Sequence, residues 1–262
     1  MYIFDTHAHY EDEAFHEDRE EILRLIRENG VGRVVNVGSS MKTTVQTAEL
    51  TEKYDFIYGA AGIHPEHVME LEEESVYASL EQCLKKEKIV ALGEIGLDYH
   101  YEDNPDREIQ KKHFERQLGL AKSVKKPVII HSRDAARDTL DIMKASAAGD
   151  IGGIVHCFSY GTDMAREYLD MGFYIGIGGV LTFKNARKLK EVAEYVPLER
   201  IVIETDCPYM APEPNRGKRN YSGNLIYVVK VLADIKGVPE EKIVETTWNN
   251  GNFVYRIAEE MV

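Results

Sequence analysis

Val-Ile-Ile-His at 128–131 and Gly-Ile-Val-His at 153–156 share one form, a short apolar run that ends on a histidine. Each is too short for a helix and shows no polar alternation. That is how a strand covered on both faces reads. Working outward, eight such runs recur at fairly even spacing: Tyr2–His9, Arg33–Gly38, Phe56–His64, Ile89–Gly96, Pro127–His131, Gly153–Phe158, Phe173–Gly179 and Arg200–Asp206. Polar segments of helical period separate them. Ile22, Leu25 and Ile26 form one expected stripe, and Phe114, Leu118 and Ala121 another. Asn29-Gly30 reads as a helix end, and Asp134 and Thr162 as helix starts. Strand followed by helix, repeated, predicts a parallel sheet. Eight units in 262 residues predict an α/β fold, a (β/α)₈ barrel formed as one domain over residues 1–262. An open doubly wound sheet is the alternative.

Polar residues gather at the ends of these runs. His7 and His9 end the first, His64 the third, Glu94 the fourth, His131 the fifth, His156 the sixth and Asp206 the eighth. In a barrel, the C-terminal ends of all strands open on one mouth, where catalytic residues collect. Two histidines one residue apart on a strand face the same side. A lone histidine at a strand end is an ordinary rim residue. His131 and His156 at equivalent positions, opposite a His-x-His pair, favour metal ligation instead. Glu94 lies inside an apolar stretch, where an unpaired carboxylate is rare. It can bridge two cations through its two oxygens. Asp206 can hold a metal and accept a proton from water. Glu204, on the same strand face, is placed to support the ligands.

The set is thus His7, His9, Glu94, His131, His156 and Asp206. Imidazole suits Zn or Mn, and carboxylate suits Mg or Mn. Six protein ligands exceed the needs of one catalytic zinc. The expectation is two divalent metal ions (Mg, Mn or Zn) about 3.5–4 Å apart, an arrangement common in phosphate ester hydrolysis. Arg133 after the fifth strand, and Arg216, Lys218 and Arg219 after the eighth, are candidates for binding substrate phosphate. His64 is placed to contact that phosphate or the leaving group. His16, His100 and His113 read as surface residues, and Cys157 and Cys207 as packing residues.

The formal net charge is −13, which repels nucleic acid and anionic membranes at long range. It argues against tight duplex binding, but not against brief hydrolysis of an end. Three scattered cysteines give no disulfide framework and no paired metal motif. No stretch approaches the roughly 18 apolar residues of a membrane span, and the N-terminus lacks the pattern of a signal peptide. The expectation is a cytoplasmic protein, complete as written, with no membrane association and no obligate protein partner.

The polar segments also match a family. Phe-Asp-Thr-His-Ala-His (4–9), Gly-Ile-His-Pro (62–65), Gly-Glu-Ile-Gly-Leu-Asp-Tyr (93–99), His-Ser-Arg-Asp-Ala (131–135), His-Cys-Phe-Ser (156–159), Glu-Thr-Asp-Cys-Pro-Tyr (204–209) and Arg-Gly-Lys-Arg-Asn (216–220) occur in the order of the TatD family. The chain resembles these metal-dependent deoxyribonucleases of the amidohydrolase-like barrels over nearly its whole length. The resemblance implies one metal on His7, His9, Glu94 and Asp206, and a second that shares Glu94 and takes His131 and His156. It implies DNA as substrate, single-stranded or at ends, cleaved 3′ to 5′. Two departures stand out: His-Pro-Glu-His at 64–67, where the family pattern is His-Pro-His, and Asn-Tyr-Ser-Gly at 220–223, where it is Asn-Glu-Pro. Hydrolysis of small-molecule or aminoacyl esters or amides is the alternative function. A barrel that binds metal without catalysis is the remote one.

Overall fold

The computed structural model describes residues 2–258. Eight strands occur in it: β1 (Ile3–Ala8), β2 (Val31–Val37), β3 (Ile57–Ala61), β4 (Ile89–Asp98), β5 (Val128–Arg133), β6 (Gly153–Val155), β7 (Tyr174–Ile177) and β8 (Ile201–Ile203). Each pairs in parallel with the next. The ring closes just past β8, where Asp206 N donates to His7 O (2.9 Å) and His9 N to Cys207 O (2.8 Å). This is the expected (β/α)₈ barrel, not the open sheet. The outer helices are α1 (Arg19–Glu28), α2 (Met41–Lys53), α3 (Glu74–Leu84), α4 (Arg107–Val124), α5 (Ala136–Ala145), α6 (Thr162–Asp170), α7 (Arg187–Tyr195), α8 (Leu225–Lys236) and α9 (Glu240–Tyr255).

The lumen is packed. Phe4, Val35, Ala60, Ala91, Ile129, Ile154, Tyr174 and Val202, one from each strand, form one buried cluster with Val254 and Tyr255 of α9. Filled layers of this kind are what make such a barrel a core and not a pore. A larger apolar shell lies between the strands and the helices.

Counting along each strand from its lumen residue shows how the mouth is built. Ile129 to His131 is an even step within β5, and Ile154 to His156 is an even step ending one residue past β6, so alternation keeps those side chains inward, whereas Asp206 lies three residues past β8 in left-handed backbone. Phe4 to His7 and Ala91 to Glu94 are odd steps. In both strands the pairing register shifts in between, at Asp5/Ala8 in β1 and at Leu92/Ile95 in β4. Such irregularities re-aim side chains beside active sites. Without them His7 and Glu94 would face the helices.

Several sequence expectations shift. The runs expected to reach His64, Phe158 and Asp206 leave the ladder earlier, at Ala61, Val155 and Ile203. Cys157 (φ +43°) and Asp206 (φ +56°) are left-handed, so the backbone turns out of extension there. On α1 the buried residues are Leu23 and Ile26 and Ile22 is half-buried, whereas Leu25 is exposed, so the stripe runs through Leu23 in place of Leu25. Helix α5 begins at Ala136 with no side-chain cap, because Asp134 is left-handed and bonds His100 Nδ1 (2.8 Å). Helix α6 does begin at Thr162, and α1 does end at Asn29-Gly30, where Gly30 has φ +90°. His113 is fully buried, held between the Tyr77 hydroxyl (2.9 Å) and Glu72 (2.6 Å).

Helix α4 steadies two site-bearing segments. Gln110 accepts from Asp98 N (2.9 Å) and donates to Asp98 O (3.0 Å). Gln117 makes the same paired contact with Ile63, both at 3.0 Å. A side-chain amide that satisfies both backbone groups of one residue fixes the chain at the end of β4 and two residues past β3.

Candidate metal centre

His7 Nε2 and His9 Nε2 face each other at 3.1 Å. Asp206 Oδ1 lies 3.7 Å from the first and 3.4 Å from the second, and Glu94 Oε2 lies 3.5 Å from His7 Nε2. Across the mouth, Glu94 Oε1 lies 2.7 Å from His131 Nδ1 and 3.0 Å from His156 Nε2. The two oxygens of one carboxylate thus face two separate groups of nitrogens. Ligands at about 2.0–2.2 Å from a common ion stand about 3–3.6 Å apart in tetrahedral or octahedral geometry. The donor separations fit that requirement.

The outer contacts give the ligands fixed orientations. His9 Nδ1 is 2.8 Å from Val37 O and 3.4 Å from Glu11 Oε1. His131 Nε2 is 3.0 Å from Asp98 Oδ2. Glu204 Oε1 lies 3.2 Å from His156 Nδ1, out of line for a hydrogen bond, and accepts instead from Cys157 N. A carboxylate or carbonyl behind an imidazole fixes its tautomer and raises its basicity toward a metal.

As a set of protein groups alone, the cluster is poorly satisfied. The rings of His7 and His156 stack at 3.8 Å, and His7 Nδ1 is buried without a partner. Burial and His156 push His7 below its ordinary range. Burial also opposes charge on His9 and His156, but their carboxylate neighbours outweigh it and hold both well above that range. Burial likewise opposes the Glu94 anion, and His156 and His131 overcome it and hold Glu94 well below the usual carboxylate range. A buried and a half-buried carboxylate facing converging imidazole nitrogens call for cations. His7, His9 and Glu94 form one group able to hold an ion, and Glu94, His131 and His156 another.

His64 is buried beside them. Its Nδ1 accepts from Glu66 N (3.2 Å), and its Nε2 points toward Glu94 Oε1 at 3.9 Å. Burial and then His131 push its pKa down to about 3. The ring is therefore neutral, with its proton on Nε2, and presents one donor to the mouth.

The proposed phosphate cations have unequal freedom. Arg133 packs over the Tyr101 ring (4.9 Å) and donates to its hydroxyl (3.2 Å). Arg216 stacks over Phe183 (4.2 Å), and Lys218 is exposed and forms no ion pair among the described residues. The Arg219 guanidinium is engaged by both oxygens of Asp18 and by Ala14 O, over the Phe15 ring. It pins the loop after β8 to the segment after β1. Two carboxylates escaped the sequence reading, Asp98 and Glu11. Glu11 follows His7 and His9 at the same spacing just past β1, and Asp98 lies four residues after Glu94 at the end of β4.

The chain matches the family described as TatD related DNase over residues 4–256. It is 43% identical to the uncharacterized metal-dependent hydrolase YabD of Bacillus subtilis (strain 168), covering 97% of this chain and 99% of that one. It is 35% identical to the uncharacterized metal-dependent hydrolase YcfH of Escherichia coli (strain K12), over 95% and 94% of the two chains. The crystal structure of YjjV, a TatD homologue from Escherichia coli K12, superposes with a TM-score of 0.91 at 31% identity, covering 98% of each chain. With the barrel, its mouth and these likenesses in agreement, the chain belongs to the TatD family and is a metal-dependent hydrolase.

Proposed function

We propose that the protein hydrolyses phosphodiester bonds of DNA with two divalent ions bound at the barrel mouth. One ion takes His7, His9, Glu94 and Asp206, and the other takes Glu94, His131 and His156. The carrying observation is the Glu94 carboxylate, whose Oε2 faces His7 at 3.5 Å while its Oε1 faces His131 and His156 at 2.7 and 3.0 Å. Bound there, the ions supply Lewis acidity and neutralise charge on the phosphate oxygens. The family description, a DNase, supports DNA as the substrate class.

The side chains divide the remaining work. Asp206 has the most exposed side chain of the six ligands, at 18%. Burial opposes its charge, yet the hydrogen bond to His9 and its other histidine neighbours keep it ionised, so it can orient the attacking water and accept its proton. His64 Nε2 donates to a phosphate or leaving-group oxygen without adding a charge. Arg133, Arg216 and Lys218 hold flanking phosphates, while Arg219 keeps their loop in place.

The test is single-stranded DNA labelled at its 3′ or 5′ end, incubated with Mg²⁺, Mn²⁺ or EDTA. Loss of DNA should require metal and disappear in Glu94→Ala, and the label pattern should show digestion from the 3′ end. The net charge of −13 favours a second reading, hydrolysis of a small or aminoacyl ester. An intact metal complement without DNA cleavage would select it.

A further inference from the structure

We propose that the cavity beside Asp206 receives the nucleobase of the nucleotide attached to the scissile phosphate, an inference that rests on the reading of the site as a DNA hydrolase. The cavity has a volume of about 290 Å³ and lies among the segments that follow β6, β7 and β8. Phe158, Val180, Leu189 and Met210 form its apolar walls, and Asp206 stands at its edge. It is therefore continuous with the ligand set. A substrate phosphate at the ions has this cavity as a neighbour.

The lining selects the occupant. The walls made by Phe158, Val180 and Leu189 offer a sugar hydroxyl or a phosphate no partner, and burying such groups against them is costly. Glu204 and Lys188 both line the cavity, so its charged groups do not single out an anion. The volume sits at the small end of the roughly 300–1,000 Å³ typical of ligand pockets, which suits one ring system and not an extended chain. Every base has an apolar face that packs on such walls whatever its identity. Met210, half exposed, adds an unbranched side chain that adapts to different rings. Ser159 and Asn185, both exposed, give hydrogen-bonding groups for a base edge. A base inside a duplex cannot enter a concavity of this kind without leaving its stack. The cavity thus favours a single strand or a frayed end over duplex interior.

The experiment measures binding and cleavage on the metal-loaded protein. By calorimetry, dAMP should bind about tenfold more tightly than deoxyribose 5-phosphate, the worth of packing one base. Val180→Trp, which fills the cavity, and Met210→Ala, which removes a wall, should bring the two affinities within about threefold, each with its thermal transition retained. In parallel, the wild-type protein should digest a single-stranded oligonucleotide faster than the same sequence in a blunt duplex. Equal affinity for the two ligands in the wild type, or an undiminished base preference in both variants, overturns the cavity assignment even where DNA is still cut. Absence of DNA cleavage with every metal overturns the hydrolase reading and this assignment with it.

Discussion

Asp98 touches no proposed ion, yet it orients a side chain that does. Its carboxylate sits behind His131 while Gln110 fixes its backbone from α4. Asp98→Ala should lower metal affinity, or activity at limiting metal, by about 10–100-fold, as is usual for a partner behind a ligating imidazole. Titration of the metal-stripped protein with Mn²⁺ would show it, and unchanged affinity would remove Asp98 from the site. Sequence alone exposed His131 and His156 because each ends a short apolar run at an equivalent position. His7 and Glu94 were found for their chemistry, while the register shifts that turn them inward were missed. Gly93 and Gly96, set within a strand, were the available sign. The freedom of each loop cation was not legible at all, since Asp18 lies about two hundred residues from Arg219 and only the folded chain pairs them.

Strand β4 shows how narrowly the site elements are fitted. Gly96 has φ +147°, and a Cβ there would stand 1.9 Å from His131 O in β5. Gly96→Ala should therefore cost about 2–5 kcal/mol, from strained backbone plus overpacking. Gly119 lies on the exposed face of α4 with nothing near its would-be side chain. There the same substitution should stabilise the protein by about 0.5–1 kcal/mol through a better helix former. Urea denaturation of both variants checks the pair, and equal effects would contradict this account of β4. Element types were read well because the helical segments carry a period and the strands stand out as short apolar runs without one. Their ends were read poorly because the chain stays extended past the last ladder residues, Val155 and Ile203, before turning at the left-handed Cys157 and Asp206, with no glycine to mark the end.

Across the whole molecule, the charge of −13 sets how the protein meets a polyanion. Only Arg133, Arg216 and Lys218 are proposed to hold phosphates. Three such contacts on a single strand give a slope of about −2 for log affinity against log salt. Measuring KM for a single-stranded oligonucleotide at several salt concentrations tests this. A slope near −5 would mean a longer basic track than these residues supply. No described helix is long and apolar enough to cross a membrane. The barrel itself was legible because its strand–helix rhythm recurs along the whole chain. The cavity beside Asp206 was not, because its walls come from three separate loops whose apolar residues look in sequence like ordinary packing.

The seam between the first and last strands also sets an order of events in time. His7 and His9 leave the ribosome early, but Asp206, joined to His7 through the backbone at that seam, follows 199 residues later. At roughly 5–20 residues per second, that interval is about 10–40 s. Through it, the nascent chain carries an incomplete set of donors for the first proposed ion. Under the proposed assignment, the first ion's site is therefore completed only near the end of synthesis, whereas Glu94, His131 and His156 are all made by residue 156.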